Sequence, residues 1–413
     1  MTAYLTDLKG RQLEAATSRG RDLVVTAGAG TGKTRTLVAR YLSLLDEGLS
    51  PRQILAITFT EKAAREMRNR VRSAVRLEID AEADPVRAAF WSNLEAGLDA
   101  ARIGTIHSFC AEVLRSHPAE AGVDPQFEVA DEANAAFLQQ QAVETALALA
   151  TQEHDLAPLF ASFSPLSIAD LIAFLLRRRL DVGDVLQGGA APERARQMVA
   201  AALASFLDSQ PVQTAIAELR QLESSGRLEA DASDKLANQV RALLAEFGQA
   251  EAHLAQGNPI AAGAALFTIR RQHTRLNIGK KDSRAKDAVR RIRDVYEDRL
   301  EPWLGGGKTD DAPPDEAVEQ RFAEDLQRVI AVHGLAAQFY RRSLDEKSTL
   351  DFDDLEANTV RLLGLPQVRQ AWQAEMSAVL VDEFQDTNER QRAIVEAICG
   401  ASPGRLFVVG DAR

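Results

Sequence analysis

Asp22-Leu-Val-Val-Thr-Ala27-Gly28-Ala29-Gly30-Thr31-Gly32-Lys33-Thr34 reads as a short β-branched strand running into a glycine loop, followed by the helical pattern TRTLVARYLSLL of residues 34–45. Glycines 28, 30 and 32 let backbone N–H groups converge on phosphate oxygens, and the helix N-terminus adds the positive end of its dipole. In such a loop Lys33 reaches the β- and γ-phosphates and Thr34 ligates magnesium. One position departs from the strict pattern, since Ala27 stands where a glycine is usual. The bland alternative is a glycine-rich turn ahead of an amphipathic helix.

Working outward, further apolar runs follow the same strand-then-helix logic: Ile54–Thr58, Arg102–Thr105, Ala378–Asp382 and Arg405–Val409. Together with Asp22–Ala27 they read as buried parallel strands of an α/β sheet. Between them, residues 130–345 are rich in Ala, Leu, Glu, Gln and Arg with apolar spacings of three and four, a helical and almost strandless stretch. Its breaks are expected at 183–192, 257–259 and 305–316, where glycine, proline and acids gather. The expected organisation is a first sheet segment at 1–129, a helical insertion at 130–345 and a return to the sheet at 346–413.

The chain has 413 residues, enough for two or three domains, with 46% hydrophobic residues and a net charge of −11. An acidic molecule repels nucleic acid on average, so DNA contact requires a local basic surface. Cys110 and Cys399 lie far apart without ligand spacing, which excludes a disulfide framework and a zinc module. Neither a signal-peptide pattern nor a membrane-length apolar run is present, so a soluble cytoplasmic protein is expected.

The second acidic element is AVLVDEFQDT at 378–387. A strand ending in two carboxylates presents acids to a ligand at the top of a parallel sheet. Asp382 suits magnesium held through water, Glu383 suits orienting and deprotonating an attacking water, and Gln385 suits a hydrogen bond to the γ-phosphate or that water. Paired with the glycine loop, this supplies both halves of a site for ATP and Mg2+.

These motifs, with ITFTEKAAREM (57–67), GTIHSFC (104–110), LDFDDL (350–355), VDEFQDTN (381–388) and VVGD (408–411), occur in an order that resembles the N-terminal part of UvrD/RecB-like superfamily 1 DNA helicases. The wording TIHSFCAEVLRSH and the long insertion look more like AddA and RecB helicase–nuclease subunits than the compact UvrD and Rep enzymes. The resemblance implies a RecA-like P-loop NTPase sheet interrupted by an all-helical insertion. It also accounts for Ala27, because the family's loop commonly begins with alanine. It places Gln12 at the adenine edge and Arg35 beside the nucleotide, so the implied nucleotide site is Gln12, Ala27, Gly28, Ala29, Gly30, Thr31, Gly32, Lys33, Thr34 and Arg35. Lys33, Asp382, Glu383 and Gln385 are the implied catalytic residues, with Thr34 and Asp382 on the metal.

For DNA, the resemblance points to Phe59, Thr60 and Lys62 at the end of the second strand and to Thr105 and His107 at the end of the third. The helix after Thr60 carries six basic residues against two acids through residue 76, with Lys62, Arg65, Asn69, Arg72 and Arg76 on one face. Residues 270–299 carry eleven Lys or Arg against five acids, read either as a duplex-contacting arm or as a solvated helical face. LDFDDL reads as mainly architectural. Implied partners are single-stranded or junction DNA and a second helicase–nuclease subunit, without a membrane. Translocation from 3′ to 5′ in recombination or double-strand break repair comes with the family.

The family's second motor domain and its arginines lie beyond the third motif, where this sequence stops, so the resemblance implies a fragment that alone hydrolyses ATP poorly. No Asp-Tyr-Lys nuclease signature occurs in it. A rival of another class is a non-motor nucleotide-binding regulatory subunit of a repair complex. A small-molecule P-loop kinase is a further rival, but it leaves TFTEKAAREM and TIHSFC unexplained.

Overall fold

The computed structural model places five strands in one parallel sheet, of which the central ones are buried on both faces, whereas the first, at the sheet edge, leaves Val24 73% exposed and so is not the fully buried strand expected. It describes residues 2–6, 8–26, 32–186, 191–226, 234–276, 283–308 and 310–411. The strands are β1 (Leu23–Thr26), β2 (Ile54–Thr58), β3 (Arg102–Thr105), β6 (Ala378–Val381) and β7 (Leu406–Gly410), in the order β1-β7-β6-β2-β3. They coincide with the expected runs to within a residue at either end. Pairing is parallel throughout, with Thr26 opposite Gly410, Ile57 opposite Val381 and Thr58 opposite Thr105. The architecture is a RecA-like α/β core carrying helical insertions.

Alternation along the strands builds two cores. Leu55, Ile57, Val379, Val381 and Val408 pack on the face covered by the Ile106–Ser116, Phe352–Leu363 and Glu389–Cys399 helices. Ile54, Ala56, Ala378, Leu380, Phe407 and Val409 pack on the opposite face, under the Lys33–Asp46 and Glu61–Ala81 helices. With both faces covered, the ligand-accessible side of such a sheet is the row of strand C-terminal ends. Cys110 and Cys399 are free buried thiols in the first of these cores.

The chain divides into two compact units, one formed by Met1–Leu138 with Arg341–Arg413, the other by Gln139–Tyr340. Within the first, β4 (Glu128–Val129) and β5 (Thr349–Leu350) pair in parallel and bring the outgoing and returning chain together. The second unit is helical among its described residues, as the composition suggests. Its core is made by the Gln210–Ser224, Lys235–Ala255, Pro259–Thr268 and Ser283–Arg299 helices, whose apolar stripes include Ile216, Leu243, Phe247, Leu266 and Ile292. Asp234 caps one of these helices by accepting from the N–H groups of Leu236 and Ala237, and Asn258 with Pro259 starts the next. The break at 257–259 is therefore real, with Gly257 at φ 75°; at the one expected over 183–192, Gly183 still lies inside the Arg179–Leu186 helix, the next helix is Ala191–Leu207, and residues 187–190 lie outside the described residues.

Four bases of the stretch at 270–299 pair with acids of their own unit. Arg270 pairs with Glu297 and Glu301 at 2.9 and 2.8 Å, Arg290 with Asp287 at 2.8 Å, Arg293 with Asp294 at 2.9 Å, and Arg291 with Glu218. Those pairs favour the solvated helical face over a DNA arm; residues 277–282 of the stretch lie outside the described residues. No helix among the described residues is long and apolar enough to cross a membrane.

Candidate nucleotide site and nucleic-acid face

Ala27, Gly28, Ala29, Gly30 and Thr31 of the glycine loop lie outside the described residues. The loop's last glycine, Gly32, has φ 87°, a left-handed conformation that a side chain resists, and its carbonyl accepts from the Thr36 N–H at 3.0 Å to open the Lys33–Asp46 helix. Lys33 and Thr34 thus occupy the helix's first turn, where unpaired N–H groups and the dipole favour an anion. A β-carbon at Gly32 would stand 3.2 Å from Gln12 Nε2, and Arg35 Nη2 donates to Gln12 Oε1 at 3.4 Å. Gln12, Arg35 and the end of the glycine loop are therefore neighbours, as the resemblance implies for a nucleotide site.

Lys33 is the hub of the acidic end. Its Nζ lies 2.6 Å from Asp411 Oδ1 and 3.6 Å from Glu383 Oε2, with the side chain only 12% exposed. Its hydrogen bond to Asp411 and the nearby Glu383 charge outweigh burial and hold the ammonium above its ordinary value. Gln385 closes the ring: Nε2 donates to Glu383 Oε2 at 2.6 Å, while its Oε1 accepts from the Asp411 backbone N–H at 3.0 Å. A β-carbon on Gly410 would collide with that Oε1. The ends of β6 and β7 are joined here through one amide side chain.

Asp382 follows β6, and its N–H donates to the Ile57 carbonyl at 2.9 Å, which extends the sheet by one bond. Burial, followed by the neighbouring Glu383 charge, raises its carboxyl above the ordinary value. A cation brought to it would relieve both effects, so the donor set of Asp382 and the Thr34 hydroxyl suits a hard, oxygen-seeking ion such as Mg2+. Glu383 itself adopts φ 52° and ψ 44°, an uncommon conformation for a residue with a side chain. That turn directs its carboxylate toward Lys33 and Gln385 and is not readable from the sequence.

The nucleic-acid candidates gather at the neighbouring strand ends. Phe59, 61% exposed, follows β2, and Thr60 caps the Glu61–Ala81 helix by accepting from the Ala63 N–H at 3.1 Å. A hollow of about 550 Å³ opens beside them, lined among others by Phe59, His107, Phe352, Val381, Asp382 and Glu383. It connects the aromatic candidates with the acidic turn.

Two expectations change with the side-chain geometry. Thr105 is buried and its hydroxyl is spent on structure, donating to Glu61 Oε1 at 3.0 Å and accepting from the Ser108 N–H at 3.2 Å. Along the basic face, Arg72 pairs with Asp99 and Arg76 with Glu95, each at 2.6 Å. Those acids lie in the 3-10 turn Leu98–Ala100 and the helix Pro85–Gly97, far enough along the chain that helical spacing could not reveal them. Lys62 and Arg65, by contrast, are exposed near the strand ends.

Sequence reading missed Glu356. It is 2% exposed and accepts from four side chains: His107 Nε2 at 3.1 Å, Gln391 Nε2 at 2.6 Å, Asn388 Nδ2 at 2.9 Å and Arg390 Nε at 3.4 Å. Burial pushes its carboxyl up, but hydrogen bonds from His107, Gln391 and Asn388 outweigh that and hold it below the ordinary value. His107 is also stacked on Phe352, ring centroids 4.1 Å apart. The available signal was an acid at a core-facing position, since Leu355, Glu356, Thr359 and Leu363 form the buried stripe of the Phe352–Leu363 helix. LDFDDL is architectural at Asp351, which caps that helix by accepting from the Asp354 N–H at 2.9 Å.

Comparison with known proteins identifies the family. The family description "UvrD/REP helicase N-terminal domain" matches residues 8–413. Proteins named as the A component of an ATP-dependent helicase/nuclease are similar over 97% of the chain: 29% identical in Pelotomaculum thermopropionicum, where 34% of that protein is covered, 25% in Latilactobacillus sakei (48% covered) and 26% in Anoxybacillus flavithermus (35% covered). The chain spans about a third of the length of the first of these relatives. Their name supports the AddA-type resemblance over the compact UvrD and Rep type. The chain belongs to the UvrD/REP helicase N-terminal domain family.

Proposed function

We propose that the chain is the first motor domain of an ATP-dependent DNA helicase of the AddA type, acting in recombination or double-strand break repair in the cytoplasm. In this reading Gln12, the 27–32 loop, Lys33, Thr34 and Arg35 bind ATP. Thr34 and Asp382 hold Mg2+, Glu383 activates water, and Gln385 senses the γ-phosphate. Single-stranded DNA tracks past Phe59, Thr60, Lys62, Thr105 and His107 in the 3′ to 5′ sense, with Thr105 acting through the helix start it caps. Residues 1–129 and 346–413 form the motor core, residues 130–345 the insertion, and a second helicase–nuclease subunit is the partner.

The observation that most supports the reading is the Lys33–Glu383–Gln385–Asp411 ring beside the hollow lined by Phe59 and His107. A site that only stored nucleotide has no need of a glutamine bridging the acidic turn to the next strand. The test is ATP turnover by the complete gene product in magnesium buffer, with and without single-stranded DNA. Strong stimulation is expected; nucleotide binding with no response to DNA would move the regulatory-subunit reading ahead.

A further inference from the structure

Glu356 joins two places that the proposed function uses for different purposes. One is His107, stacked on Phe352 at the edge of the hollow. The other is the start of the Glu389–Cys399 helix, which continues directly from the acidic turn at 382–387. There Asn388 and Gln391 form a reciprocal cap: Asn388 Oδ1 accepts from the Gln391 N–H at 2.8 Å, and Gln391 Oε1 accepts from the Asn388 N–H at 3.4 Å. The amide nitrogen of each side chain donates one hydrogen bond to Glu356, Asn388 Nδ2 to Oε2 and Gln391 Nε2 to Oε1. The carboxylate therefore grips both halves of the cap on one side and His107 on the other.

Its chemistry makes this a constrained junction. An ionised carboxylate offers about four acceptor sites, and here four side-chain donors fill them. Because Glu356 is buried, a donor that withdraws is not replaced freely by water, and the loss falls on the remaining partners. A displacement of His107 must then be met by movement of Asn388 or Gln391, a few residues from Glu383 and Gln385.

We infer that Glu356 is a positioning residue that couples DNA engagement at His107 to the geometry of the hydrolytic turn through Asn388 and Gln391. The inference rests on the reading of the hollow as a single-strand site. Glu356 touches neither DNA nor nucleotide in this scheme, and it acts through His107 and the helix cap.

The test uses the complete gene product. ATP turnover is measured with and without oligo-dT, and oligo-dT affinity is measured by fluorescence anisotropy, for the wild type, Glu356→Gln, His107→Ala and the double variant. Coupling between sites is typically about fivefold or more, so DNA stimulation is expected to fall by about that factor in each single variant. The double variant should be no worse than the single ones, because both cut the same link. Affinity should fall less than stimulation in Glu356→Gln, a split that a merely structural role would not produce.

Asn388→Asp provides a second arm if Glu356→Gln fails to fold. Asn388 is exposed, and aspartate keeps the capping oxygen while it replaces the donor to Glu356 with a repelling acceptor. It should reproduce the loss of stimulation. Normal stimulation in Asn388→Asp, multiplicative losses in the double variant, or a loss that follows affinity alone would each overturn the coupling role. A wild type that oligo-dT fails to stimulate would instead refute the DNA-motor reading, and the coupling with it.

Discussion

Phe59→Ala separates DNA binding from folding more cleanly than any other substitution at the site. The ring is 61% exposed at the end of β2, so its removal uncovers little core, and the effect on stability should stay within about 0.5 kcal/mol. A base stacked on such a ring contributes ~1–3 kcal/mol. At about 1.4 kcal/mol per factor of ten, oligo-dT affinity should fall by about 5- to 150-fold. Phe59→Trp should retain most of it, because any aromatic face serves a stacked base. The salt dependence should not change, since no phosphate contact is lost. Lys62→Ala should lower the slope of log affinity against log salt by about one, as expected for one lost phosphate contact. Anisotropy titrations of the complete gene product at several salt concentrations measure all of this, with melting temperature and nucleotide affinity as controls. Equal losses of DNA and nucleotide affinity, or a melting temperature several degrees lower, would refute the stacking role and make Phe59 a prop of the fold.

Three further predictions follow from the acidic end and its surroundings. Lys33→Ala should abolish DNA-stimulated ATP turnover while leaving the helical circular dichroism signal intact, and undiminished turnover would remove Lys33 from the site. Gly410→Ala should drive the flexible Gln385 side chain off the Asp411 N–H, because the new methyl would occupy its place; steady-state kinetics should then show a lower kcat with nucleotide affinity retained, and an unchanged kcat would deny Gln385 its part in hydrolysis. Glu356 titrates below its ordinary value of 4.5, so its contribution to stability is complete above that pH and is lost as pH falls through the lowered value. Chemical denaturation between pH 6 and 3 should therefore show a shallower acid loss in Glu356→Gln than in the wild type, and parallel curves would contradict the assignment.

The family and the architecture were legible in the residue order because their signals are local. Apolar β-branched runs, a glycine loop ahead of a helix, and acids at the end of a strand each depend on a few neighbouring residues, and their succession along the chain carries the α/β core and the helical insertion. The positions of Lys33 at a helix start and of Asp382 and Glu383 at a strand end were legible for the same reason. What the tertiary structure decided involves partners remote in the sequence. Charge counts marked Arg72 and Arg76 as available to DNA and left residues 270–299 open between a DNA arm and a solvated face, but packing brings Asp99 against Arg72, Glu95 against Arg76, and Glu297 and Glu301 against Arg270. Thr105 looked like a contact residue and is a buried cap. Glu356 stands just after the LDFDDL motif, 249 residues from His107, and only the folded chain surrounds it with four donors. Local pattern determines which element forms and which chemistry it can carry; whether a charge stays free for a ligand depends on the neighbours that folding delivers to it.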